Sequence, residues 1–169
     1  MFEVNEVVMY SHNGICKIVD SLNRTLYNGK TVTYYVLNPI FDAKTTYYIP
    51  VDNVEETLKK VISVDEIHEL IEMMPEESSI WIENDNQRRD AYKEIIKDGN
   101  RVELIKLIKT LYYNREEKLR DGKKFHISDE KALKQAEKLL YEEFAYVLNI
   151  DVNEVVPFIN EELEVSAEG

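Results

Sequence analysis

The chain has 169 residues, 44% of them hydrophobic and 32% charged, with a formal net charge of −12. This composition excludes a disordered or collagenous chain, and a lone cysteine, Cys16, excludes an intramolecular disulfide and a cysteine-built metal cluster, pointing to the reducing cytosol. The opening MFEVNEVVMY lacks a basic region ahead of a long apolar run, and nowhere do about 18 consecutive apolar residues occur, so neither export nor membrane spanning is indicated.

Residues 4 to 54 read as short β-strands rich in Val, Ile, Tyr and Thr, broken by turn chemistry. Val7, Val8 and Tyr10 open the first, followed by a turn over Ser11-His12-Asn13-Gly14. Along Ile15 to Asp20, alternation sends Ile15, Lys17 and Val19 to one face and Cys16 and Ile18 to the other. Asn28-Gly29, between Arg24-Thr25-Leu26-Tyr27 and Thr31 to Leu37, is a hairpin signal because both residues tolerate positive φ. A last run, Thr45 to Ile49, ends at Pro50. Four or five such strands in about 50 residues are expected to curl into a small barrel around their core.

From Ser63 the period becomes helical. Ser63 with Glu66 predicts a capping box before the stripe Val64, Ile67, Leu70, Ile71 and Met74, and a loop with the sole tryptophan, Trp81, spans Pro75 to Glu83. Asn84 with Gln87 opens the next helix, ending at Asp98-Gly99 with Ala91, Tyr92, Ile95 and Ile96 inward and Arg89, Lys93 and Lys97 in one exposed row. Asn100 caps a third helix to about Arg120, with Leu104, Ile105, Ile108, Leu111 and Tyr112 as its buried stripe. Ser128-Asp129-Glu130 starts a fourth, and Asp151 caps a short fifth that admits Pro157 only near its first turn. The expected organisation is a β-barrel module over residues 1–60, a helical module over 61–163 and a frayed acidic tail over 164–169.

Charge is unevenly placed. Residues 84 to 124 hold twelve Lys and Arg against eight acids, whereas 61 to 83 hold seven acids and no base. A basic segment in an acidic chain suggests a local anion-facing surface, since exposed charges act over about 10 Å at ordinary ionic strength. The competing reading is a solvated helix face partly neutralised by Glu94, Glu103, Glu116 and Glu117. Trp81 either packs on the following helix or inserts at a distorted base step, as apolar wedges do. Catalysis has little support: His12, His68 and His126 fall on separate elements, no nucleophile and base are suggested to meet, and an enzyme using Cys16 or His12 is a remote reading. No cofactor is implied.

Tyr10-Ser11-His12-Asn13-Gly14, Arg24-Thr25, Asn28-Gly29, Tyr34-Tyr35-Val36-Leu37, Ile49-Pro50-Val51-Asp52-Asn53, Tyr92-Lys93, Asp98-Gly99 and Asp129-Glu130-Lys131, in this order, resemble the CarD family of bacterial transcription regulators. The resemblance extends from about Phe2 to Leu148. It implies an α+β chain in two modules, a small N-terminal Tudor-like antiparallel β-barrel and an all-α helical domain. The barrel would dock on the RNA polymerase β subunit, and the helical domain would contact promoter DNA at the upstream edge of the bubble, stabilising the open complex without sequence specificity. By position, Arg24 matches a polymerase-contacting arginine, and a second such arginine falls at Tyr48. Lys93 and Lys131 match DNA-contacting positions, and Arg89 belongs to the same basic row. The family's wedging tryptophan falls at Arg88, so either Trp81 takes that role by another loop path or Arg88 replaces it with a cationic contact. The implied protein is a non-enzymatic, cytoplasmic monomer, brought to the nucleoid by RNA polymerase. An alternative from another class is an adaptor that binds RNA polymerase and a second protein without touching DNA.

Overall fold

The computed structural model describes residues 2–76 and 79–168, without the side chains of Ser166 and Glu168, so positions 77 and 78 of the Trp81 loop and 169 of the acidic tail lie outside it. The chain divides into two compact units, 1–61 and 62–169.

In the first unit the period-2 runs form β1 (Val7–Tyr10), β2 (Gly14–Thr25), β3 (Thr31–Pro39), β4 (Tyr47–Pro50) and β5 (Leu58–Lys60), with a one-turn helix α1 (Val54–Thr57) before the last. They make one antiparallel sheet in the order β4-β3-β2-β1-β5, whose ladder ends at β4 and β5. Cys16 and Ile18 face the core with Val8, Leu37, Ile49, Val54 and Leu58. Val19 is exposed with Lys17 as alternation requires, but simple alternation fails at two places: Ile15 is also buried, and the register shifts between Ile18 and Asp20, a bulge after which Asp20 is exposed as well. The β2–β3 turn is tighter in its requirements than a two-residue reading suggests. Leu26 N–H donates to the Lys30 carbonyl and Gly29 N–H to the Leu26 carbonyl, so Tyr27-Asn28-Gly29 form a three-residue loop. Only Gly29, at φ +85°, needs the left-handed region, and Asn28 instead accepts from Lys30 N–H.

The second unit is α2 (Val64–Met73), α3 (Asp85–Asp98), α4 (Arg101–Arg120), α5 (Ile127–Leu148) and α6 (Val155–Glu168). Ser63 and Glu66 close the capping box, while Asn84 and Asn100 accept from Gln87 and Glu103 N–H. Gly99 ends α3 at φ +74°. Helix α5 begins one residue before Ser128, because the His126 imidazole accepts from Ser128 N–H as the cap. This leaves Asp129 free to turn inward. Along α4 the buried set is Leu104, Ile105, Leu107, Thr110 and Leu111, so Leu107 is core and Tyr112, 47% exposed, is not. Leu107 packs with Tyr92, Ile96, Leu111, Leu133 and Ala136, between α3 and α5. A second cluster gathers Ile67, Ile71, Ile105, Leu140, Phe144, Val155 and Ile159.

Two long cations stitch this unit internally. Lys109 Nζ donates to the carbonyls of Met74 and Pro75, satisfying the chain just past α2. Arg101 makes a bidentate pair with Glu143, Nε to Oε1 at 2.8 Å and Nη2 to Oε2 at 2.6 Å. The same carboxylate accepts from Ile62 N–H at 2.9 Å. Among the described residues no helix is long and apolar enough to cross a membrane. Replacing Ser63 by Ala opens the capping box, and we expect a loss of about 1 kcal/mol. Urea denaturation checks this through a lower midpoint at unchanged slope.

Candidate nucleic-acid interface

Helix α3 carries two parallel rows at i, i+4, i+8. Arg88, Tyr92 and Ile96 form the buried one, and Arg89, Lys93 and Lys97, one residue on, form the exposed one. The basic residue Arg88 therefore stands in register with the apolar stripe. It is 2% exposed and faces Asp129, 1% exposed, at the start of α5. Nε donates to Asp129 Oδ1 and Nη2 to Asp129 Oδ2, both at 2.9 Å. Nη2 also donates to Asp85 Oδ1 at 2.8 Å, and Nη1 to the carbonyls of Ile82 and Glu83. All five guanidinium donors are thus satisfied. Burial acts to lower the Arg88 pKa, but the hydrogen bonds and charges of Asp129 and Asp85 outweigh it and leave it raised. Asp85, at the exposed end of this network, is held below the usual carboxylate range, first by its bond from Arg88.

Arg88, expected as a cationic DNA contact, is instead enclosed by carboxylates and carbonyls of its own unit. Trp81 lies over it, with the guanidinium carbon 4.3 Å from the ring centroid and indole Nε1 donating to Glu83 Oε1. The ring packs at the edge of the Tyr92 and Leu107 cluster with Ile80 and Phe125. Main-chain tethers fix residues 80–83: Ile80 N–H donates to Thr110 Oγ1, Tyr92 Oη donates to the Ile80 carbonyl, and Arg88 Nη1 donates to the carbonyls of Ile82 and Glu83. Burial, then the nearby Asp129 carboxylate, pushes the Tyr92 phenol up to about 12. Thr110 is thus a site-forming residue that the sequence pattern did not single out, and Asp129 and Tyr92, read as a helix start and an inward position, take bonding roles that the pattern did not give. Only the spacing of Arg88 with Tyr92 and Ile96 carried a signal.

The other basic positions come together. Arg89 and Lys93 of α3 and Lys131 of α5 line one cleft of about 400 Å³, with Tyr92, Ile96, His126, Ile127 and Gln135. All three cations are exposed. A second cleft of about 400 Å³, which shares His126 and Ile127 with the first, is lined further by Trp81, Glu83, Asp85, Arg88, Lys118, Lys124 and Phe125. The remaining bases of the stretch divide. Arg101 and Lys109 are bonded internally, Lys106 reaches Glu103 at 3.4 Å, and Arg115 lies over Tyr112 at 5.5 Å. Lys97, Arg120, Lys123 and Lys124 are exposed.

In the first unit, β3 separates the two positions matched to polymerase contacts. Arg24 pairs with Val32 across β2–β3, and Tyr48 pairs with Val36 across β3–β4. Their side chains nevertheless meet: the Arg24 guanidinium sits 5.8 Å from the Tyr48 ring centroid, and Tyr48 is 53% exposed. An exposed, preassembled cation and aromatic pair is a surface suited to an acidic or planar partner group.

Replacing Asp129 by Ala leaves the Arg88 charge buried beside Asp85 alone. We expect a loss of about 3 kcal/mol or more of stability, as when one partner of a buried ion pair is removed. Because Trp81 is the sole tryptophan, the same substitution should shift its emission to the red as its ring loosens. Unchanged emission and midpoint would show that the pair does not hold the loop.

Sequence comparison accords with the division into units. The CarD-like/TRCF RID domain model matches residues 2–62, and the model described as CarD, C-terminal domain matches residues 69–160. No curated protein gives a match to the chain. With both family domains present in order and the second covering more than half of the sequence, the chain belongs to the CarD family.

Proposed function

We propose that this RNA polymerase-interacting, transcription-related chain docks its N-terminal unit on the polymerase β subunit through Arg24 and Tyr48, and that its helical unit lays Arg89, Lys93 and Lys131 against promoter DNA near the upstream edge of the bubble. It thereby stabilises the open complex. The observation that carries this reading is the convergence of those three exposed cations, from two helices 38 residues apart in sequence at Lys93 and Lys131, on a single cleft. Cations at such a cleft neutralise phosphates without reading bases. Trp81, stacked on Arg88, shapes the adjoining cleft in this reading and does not need to insert between bases.

A net charge of −12 opposes free DNA binding, so the contact is effective only when docking raises the local DNA concentration. The family's non-enzymatic character fits this: the chain supplies contacts, not chemistry.

One observation favours the adaptor reading. A groove of about 630 Å³ between α4, α5 and α6 is lined mainly by apolar groups, including Ile105, Ile108, Leu140 and Val156, with Tyr112 and Tyr113 exposed at its edge. Salt separates the two readings. For the DNA reading, Lys93→Ala with Lys131→Ala shortens the open-complex lifetime, spares polymerase binding and lowers the salt slope of the effect by about 2, at roughly 0.9 per phosphate contact. A salt-insensitive contribution from the helical unit would favour the adaptor. Docking is tested separately by Arg24→Glu, for which we expect at least about tenfold weaker β-subunit binding, the equivalent of 1.4 kcal/mol. Unchanged affinity would remove Arg24 from the interface.

A further inference from the structure

Helices α4 and α6 both pack on α5, and the apolar groove of about 630 Å³ lies along all three. Its walls have a helical period. Ile105, Ile108, Lys109 and Tyr112 of α4 stand at i, i+3, i+4 and i+7, and Val156, Ile159, Asn160 and Leu163 of α6 repeat that spacing. Each wall therefore presents two turns, roughly 10 Å at the α-helical rise. Ile105, Leu140 and Ile159 are buried, whereas Val156 and Tyr112 are exposed and Tyr113 is 61% exposed. A closed floor thus lies beneath an open apolar rim. Two helical flanks of matched length over a floor from a third helix suit a further helix, whose anchors at i, i+3, i+4 and i+7 cover both rims.

The polar groups of the groove indicate which kind of helix. Glu137 of α5 lines it one turn before Tyr141. Burial pushes the Glu137 carboxyl above the usual carboxylate range, and the opposing charge of Arg115 does not restore it. Burial, then the Glu137 charge, pushes the Tyr141 phenol up to about 12. Among the described residues neither group has a hydrogen-bond partner. The bases lining the groove are engaged elsewhere: Lys109 Nζ donates to the Met74 and Pro75 carbonyls, and the Arg115 guanidinium carbon lies 5.5 Å from the Tyr112 ring centroid. What remains unmet is the acceptor capacity of a half-buried carboxylate beside apolar side chains. The net charge of −12 also attracts a cationic partner.

We propose that this groove is a docking site for an amphipathic helix of a partner protein, two turns of apolar face interrupted by one Lys or Arg that pairs with Glu137. Its apolar side chains cover Ile108, Val156 and the exposed tyrosines. This goes beyond the polymerase and DNA contacts: none of Arg24, Tyr48, Arg89, Lys93 and Lys131 lines the groove, so the two assignments fail separately.

The test titrates the full chain, with neither DNA nor polymerase present, into a fluorescein-labelled, lactam-bridged helical peptide and follows anisotropy. The bridge is needed because free helices of about 15 residues are marginal in water. The peptide carries Leu at i, i+3 and i+7 and Lys at i+4, and its control carries Glu in place of Lys. We expect the Lys peptide to bind at least about tenfold more tightly than the control, the size of one charge-assisted hydrogen bond. Glu137→Gln should remove that preference, and Glu137→Lys should reverse it. Tyr113→Ala should weaken the Lys peptide at an unchanged thermal midpoint, because the ring lies outward. Equal binding of the two peptides to wild type, or a preference that survives Glu137→Gln, would overturn the choice of a cationic partner. Absence of saturable binding by both peptides would remove the docking site. If the chain instead dimerises on concentration in sedimentation velocity and Val156→Glu disperses the dimer, the occupant is a second copy and the proposal is wrong.

Discussion

The buried pair of Arg88 and Asp129 is the constraint on which the helical unit's candidate surface depends. Removing a guanidinium and a carboxylate from water costs several kcal/mol per ion, and attraction offsets this only where every donor is met. Here every guanidinium donor is met, by two carboxylates and two main-chain carbonyls. The geometry fixes three things at once: the lateral position of α3, the first turn of α5 and the path of the chain through Ile82 and Glu83. The cleft between Arg89, Lys93 and Lys131 is the outer surface of that inner clasp. An ion pair that contributes little net stability can still set where other charges stand.

Much of the architecture was legible because it is local. Caps at Ser63, Asn84 and Asn100, the left-handed stop at Gly99 and the apolar stripe of α5 all follow from residues within one or two helical turns. What escaped was set by partners far along the chain. Arg88 and Asp129 are 41 residues apart, and a basic residue on a helix reads as solvent-facing until its partner is known. Ser128-Asp129-Glu130 marked the start of α5 to within a residue, yet the cap is His126, and Asp129 lies in the first turn with its carboxylate turned inward. In the hairpin, Asn28-Gly29 marked the reversal correctly but not its type, since a main-chain bond from Leu26 to Lys30 adds Tyr27 to the loop. The candidate site followed the same division: the exposed row at Arg89 and Lys93 was visible from helical spacing, whereas its meeting with Lys131 is a product of tertiary packing.

The basic stretch also has a different character once folded. Counted along the sequence it is one anion-facing segment; in the structure Arg88, Arg101 and Lys109 turn toward carboxylates and carbonyls within the unit. The outward field is therefore weaker than the count suggests, and concentrated at the α3 and α5 end. Under the proposed docking a modest, local attraction is sufficient, because stronger attraction would hold such a protein on DNA away from the polymerase.

Glu143 has an implication for how such sequences can drift. Its carboxylate bonds a side chain at 101 and a main-chain amide at 62, and only the first of these can be altered by ordinary substitution. Replacement by an aliphatic residue removes this acceptor from both, while glutamine serves the amide but mismatches the arginine. Positions 101 and 143 should therefore vary in concert across descendants of this chain, through an intermediate in which an uncharged acceptor is retained for Ile62. Few paths meet that condition, and the pair acts as an evolutionary ratchet.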